Sequence, residues 1–242
     1  MEIEFVRGIR MSNEMALEVR KIASELGIVL TVHAPYYINL LSTDQSKVEA
    51  SIKRIVDSAR VGHLASAWSV VFHPGYYGSL TSNEATQRVR EYLKIITKTL
   101  SDEGIEIWVR PELMGGLAEF GSLEEVVAVS EGLENVLPCI DFAHLYARSK
   151  GTVNDYQSFR NVLEFLEKRL GSDAIKNMHI HLSGMEYGDR GEVKHLNLYE
   201  SSFNYVDVLK VIKEFKVSGV LISESPNLED DALIMLNTYN SL

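Results

Sequence analysis

Seven short runs rich in valine, isoleucine and leucine recur along this chain, each separated from the next by a segment with helical periodicity. They fall at residues 3–7, 28–33, 68–73, 105–110, 136–141, 177–182 and 218–224. Such near-continuous apolar character marks strands covered on both faces, as in a parallel sheet. The intervening "SNEMALEVRKIASELG" is a representative helix, with Ser12 or Asn13 as N-cap and Gly27 in the C-cap region. Strict strand-then-helix alternation leaves two architectures, the doubly wound open sheet and the (β/α) barrel. The first gathers its chemistry at one switch point, the second from many strand ends on one face. Here the runs end in Arg7, His33, His73, Arg110 followed by Glu112, Asp141 with His144, His179 with His181, and Glu224. That distribution favours the barrel. With seven strands instead of eight, either one strand is hidden or the chain lacks one βα unit and the barrel is incomplete.

No linker, low-complexity tract or charge block divides the 242 residues, so one domain over 1–242 is expected. No apolar run approaches the roughly 20 residues needed to span a bilayer, and the opening "MEIEFVRGIR" is not a signal peptide. The single cysteine, Cys139, excludes an internal disulfide framework and suits a reducing cytoplasm. The net charge of −10 argues against a nucleic-acid partner, for which a basic domain is the default. Carboxylates that hold divalent cations are counted in that figure without the cations, which reverse the local field.

Taken singly, these residues have ordinary explanations. A strand-terminal histidine usually packs or caps, Glu112 could be a solvated loop acid, and Asp141 and Glu224 could cap helices. His63, mid-helix and without partners, reads as structural. His179 and His181 share one strand face by period two, so one of them could line the barrel while the other packs. The coincidence of the rest at equivalent points of successive βα units is what carries weight. Histidine mixed with carboxylate suits zinc, with manganese or iron next and magnesium less so.

In order along the chain, "HAPYYINL", "FHPG", the glutamate of "RPELMGG", "CIDFAHLYAR", "HIHLSG", "KHLNL" and "SESPN" resemble the signatures of the endonuclease IV family, its archaeal-type members in particular. The resemblance implies a TIM-type barrel and a zinc-dependent apurinic/apyrimidinic endonuclease, a hydrolase of DNA repair. It makes His33 and His73 ligands of one zinc ion, with Glu112 bridging to a second that Asp141, His181 and Glu224 complete. His144 and His195 would belong to a third. The bridged hydroxide would attack the phosphate 5′ of an abasic sugar in duplex DNA, with Tyr36 beside a nucleotide that has left the stack. Arg7 and Arg10 sit where that family places a DNA-contacting loop. No membrane and no obligate protein partner are implied.

Two departures stand out. The family's third-metal motif is Asp-x-His, and the triplet here is Val193-Lys194-His195. Two zinc ions are therefore expected; for the third, either Glu192 substitutes or the site is weak or empty. The family also has one more βα unit before "IEFVRG", matching the count of seven strands. A divalent-metal sugar or sugar-phosphate isomerase or epimerase on the same barrel is the alternative, favoured by the acidic charge and the missing aspartate. A metal-loaded binding protein that no longer turns over is a third.

Overall fold

A computed structural model describes residues 1–242. Its elements run β1 (Glu2–Glu4), α1 (Asn13–Leu26), β2 (Thr31–His33), α2 (Gln45–Leu64), β3 (Ser69–Phe72), α3 (Ser82–Asp102), β4 (Trp108–Pro111) and α4 (Leu123–Ser130). They continue β5 (Cys139–Asp141), α5 (Phe142–Arg148), α6 (Tyr156–Leu170), α7 (Ser172–Lys176), β6 (Met178–Leu182), β7 (Gly184–Gly188), β8 (Gly191–Leu196), α8 (Tyr205–Glu214), β9 (Gly219–Ser223) and α9 (Glu229–Ser241). Each of the seven apolar runs overlaps one parallel strand, although β1 stops at Glu4 and leaves Arg7 in the turn beyond it. No helix is long and apolar enough to cross a membrane.

The chain forms two compact units. The first comprises Met1–Glu112 and Ala128–Pro138. Its sheet has the order β1-β2-β3-β4, all parallel, with each strand beside the next in sequence and no reversal. Glu4 pairs with His33, His33 with Val71, and Val71 with Arg110, so the strand ends are level. Strands β2 and β3 are buried throughout, as their composition demands. Helix α1 starts where Ser12 accepts from the Met15 N–H and ends at Gly27. Arg110, polar at a strand end, is a core residue: fully buried, it lies 4.5 Å from the Trp68 ring and donates to the Pro138 carbonyl at 3.3 Å. Stacking on indole and the bond to a carbonyl hold this guanidinium in the core. His63 is exposed near the end of α2.

The second unit comprises Leu113–Val127 and Cys139–Leu242. Its parallel sheet has the order β5-β6-β9. Alternate residues Ile140 and Ile180 enter a core with Phe142, Phe159 and Leu163. Period two then turns Cys139, Asp141, His179 and His181 to the opposite face. Strands β7 and β8 form an antiparallel hairpin in a stretch whose sequence reads as loop. Within it Glu186 pairs with Lys194 and Tyr187 with Glu192, leaving Val193 as the extra residue of a bulge. The edges of the two sheets are visible in the pairing: β1 is hydrogen-bonded only to β2, and β9 only to β6.

Candidate metal centre

In the first unit, three strand ends converge. His33 is the last residue of β2, His73 follows β3 and Glu112 follows β4. One carboxylate oxygen of Glu112, Oε2, stands 3.1 Å from His33 Nε2 and 3.2 Å from His73 Nε2. His33 Nδ1–H donates to the Ala34 carbonyl at 2.8 Å, which aims Nε2 at Glu112. Burial disfavours charge on this ring, yet the hydrogen bond and charge of Glu112, with Glu4 and Glu2 beyond, push its pKa up to about 10. Tyr36 covers the pair: its ring stacks on His73 at 5.4 Å, meets His33 edge-on, and remains half exposed. Its hydroxyl donates to Glu4 at 3.4 Å. Arg7 and Arg10 are exposed and line an open groove with Phe5, Met11 and Met15.

The second unit carries two further groups. Asp141 ends β5 and pairs in register with His181 of β6. Asp141 Oδ1 caps α5 by accepting the His144 N–H at 2.7 Å, as an N-cap should. Its Oδ2 is buried without a hydrogen-bond partner, 3.4 Å from His144 Nδ1. Helix capping therefore explains one oxygen and leaves the other free for a cation. Glu224, just beyond β9, brings Oε1 within 3.3 Å of His181 Nδ1.

The other group joins α5 to the hairpin. His144 donates from Nδ1 to the Leu113 carbonyl at 2.8 Å and faces Glu192 Oε2 with Nε2 at 3.1 Å. His195 Nε2 lies 3.5 Å from Glu192 Oε1, while its Nδ1 is 3.2 Å from Ser183 Oγ and 3.1 Å from the Glu224 carbonyl. The donor atoms of His144, Glu192 and His195 all lie within 4.8 Å of one another. Burial opposes the charge of Glu192, but the two imidazoles outweigh it and hold the carboxyl well below the usual range. The same pairing raises His195 against the effect of its burial.

The bulge explains how Glu192 reaches this position. In a regular strand Val193 and His195 would share a face; the extra residue puts Glu192 on the His195 side and leaves Val193 exposed. Room for the carboxylate comes from Gly115: a Cβ built there would fall 2.6 Å from Glu192 Oε2 and 3.2 Å from His144 Cδ2. Gly191, at φ +90°, approaches so closely that a Cβ would lie 2.2 Å from the Gly115 carbonyl oxygen. The orphaned Asp141 oxygen, the glycine-lined space and the imidazole–carboxylate donors fit divalent cations such as zinc.

This fold and these donor sets define a metal-capable barrel of the α/β type. The chain belongs to the xylose isomerase-like TIM barrel family, with a match over residues 1–238. An uncharacterized protein of Methanocaldococcus jannaschii is 45% identical across the whole chain and 87% of its own length. A probable endonuclease 4 of Acholeplasma laidlawii is 28% identical over 88% of this chain and 74% of that protein. Among solved structures, a D-tagatose 3-epimerase-like protein superposes with a TM-score of 0.74 at 23% identity, over 99% of this chain and 88% of the other. Endonuclease IV from Thermus thermophilus gives 0.72 at 21% identity, over 97% and 83%. These two likenesses carry the fold, not the substrate.

Proposed function

We propose that this chain is a metal-dependent phosphodiesterase that cuts duplex DNA on the 5′ side of abasic sites. The observation that carries the reading is the His144–Glu192–His195 set, present in addition to the His33–His73–Glu112 and Asp141–His181–Glu224 residues. A sugar epimerase that uses one ion has no need of so many histidines. Divalent ions in these sets, zinc first on donor type and manganese next, supply Lewis-acid neutralisation of a phosphoryl group and an activated water. The protein's part is to hold the donors rigid: Ala34, Leu113 and the α5 N-terminus fix His33, His144 and Asp141 by hydrogen bonds. Tyr36 offers a half-exposed aromatic face to a nucleotide that has left the stack. Arg7 and Arg10 are exposed for phosphate contacts. The DNA-repair reading extends to this chain from the resemblance of its motifs and from the endonuclease 4 relatives.

The net charge of −10 and the epimerase among the structural likenesses favour a second reading, a divalent-metal sugar isomerase or epimerase. One assay separates the two. Zinc-loaded protein is given a duplex with a single abasic-site analogue, beside Glu112→Gln and a chelated control. A 5′ nick lost in both controls supports the endonuclease. Absence of a nick from fully loaded protein, together with turnover of a ketose, replaces it with the isomerase.

A further inference from the structure

We infer that β5 and β6 carry an additional, thiolate-containing metal site formed by Cys139, His179 and His181. Register places it: Cys139 pairs with His179 and Asp141 with His181 in the parallel ladder. The side chains therefore form two layers on one sheet face, Asp141 and His181 above, Cys139 and His179 below. All four residues are fully buried. The donor atoms of Cys139, His179 and His181 lie within 4.8 Å of one another, and the two imidazoles meet edge-to-face with centroids 5.0 Å apart.

Chemistry selects the occupant. A sulfur and two ring nitrogens form a softer set than the nitrogen–carboxylate groups elsewhere in the chain, suited to a thiophilic ion such as zinc or copper(I). Zinc bonds of about 2.3 Å to sulfur and about 2.0 Å to nitrogen put ligand atoms roughly 3.3–3.7 Å apart, so closure takes modest side-chain rotation. His181 shows Nδ1 to Glu224 at 3.3 Å, and its Nε2 lies on the other side of the ring, also shielded from solvent. Ligation through Nε2 leaves the Nδ1 proton shared with Glu224 and takes no proton from the ring. Ions on both nitrogens together would require that proton to leave as well, giving an imidazolate. Apolar side chains at 139 and 179 would fill this buried sheet face equally well, whereas a thiol and two imidazoles converging there bring the lone pairs that a cation uses. On binding, the thiol gives its proton to solvent and coordinates as thiolate.

Cobalt(II) tests the site independently of any nuclease or isomerase activity. Because Cys139 is the only cysteine, a thiolate-to-cobalt charge-transfer band in the near ultraviolet can arise from nowhere else. Titration of the chelated full-length protein is expected to develop that band to one equivalent. Cys139→Ser and His179→Ala should each lose it while keeping the visible bands of cobalt in the imidazole–carboxylate sets. Saturated visible bands in the unmodified protein with no charge-transfer band overturn the site, whatever the variants do. An absent incision activity alongside an intact band would count against the endonuclease alone.

Discussion

Glu192 Oε2 stands 3.1 Å from His144 Nε2, joining the hairpin to the first turn of α5. The contact exists only because a bulge at Val193 changes the facing of β8 by one residue. It puts a carboxylate where the sequence, read as a regular strand, offers only valine.

Glu192→Gln is therefore expected to weaken cation binding at this group by at least roughly tenfold, the scale on which even supporting residues of metal sites act. Val193→Asp should recover nothing in that background, because residue 193 faces solvent. Equilibrium dialysis with zinc checks both. Full rescue by the aspartate would mean the bulge is not held in solution.

His33 gives a pH signature. Burial lowers its affinity for a proton, but Glu112 chiefly, with Glu4 and Glu2, pushes the pKa up to about 10 from the ordinary 6.5. The ring is then protonated at neutrality, and an incoming cation must displace that proton. Calorimetry at pH 7 in buffers of different ionisation enthalpy should show proton release that His33→Gln diminishes. In chelated protein the sign for stability follows: the pair's contribution is complete below about pH 6.5 and is lost as pH rises through about 10. Zinc binding at pH 7 without proton release rules this out.

Gly115→Ala tests the space around the carboxylate. Its Cβ would lie 2.7 Å from Glu192 Cβ, so Glu192 must move. Weaker zinc binding at the His144 group is expected while the His33 group is unchanged, since the nearest atoms to that Cβ belong to Glu192 and His144. Wild-type affinity at both would show that the hairpin yields freely.

Tyr36→Ala is expected to weaken binding to abasic duplex by roughly 5- to 150-fold, the range for one aromatic stacking contact. Tyr36→Phe should remain near wild type, because the hydroxyl contact to Glu4 is long at 3.4 Å. Fluorescence anisotropy with a metal-loaded, incision-resistant analogue provides the measurement. Unchanged affinity in the alanine variant would remove Tyr36 from the DNA surface.

What was legible in the sequence is local. The seven strands follow from apolar runs, the α1 caps from Ser12 and Gly27, and the positions of His33, His73, Glu112, Asp141 and Glu224 from where those runs end. Arg110 ends a run in the same way but packs on tryptophan, a difference that pattern does not encode. The hairpin is not legible in the sequence, because Met185, Tyr187 and Val193 alternate too briefly around Gly188 and Gly191 to signal a strand pair. The facing of Glu192 is not encoded in the sequence pattern, because a bulge is a property of pairing between strands. The juxtaposition of Cys139 with His179 depends likewise on register between strands remote in sequence.

Asp141 offers one oxygen to the His144 amide and leaves the other buried without a hydrogen-bond partner. That division makes the His144 peptide hydrogen, in the first turn of α5, a reporter of whatever the carboxylate holds. An ion drawing electron density through Oδ2 weakens Oδ1 as an acceptor, and the His144 amide resonance moves with it. Site occupancy could then be followed at a single backbone nucleus, without substrate and without labelling any ligand.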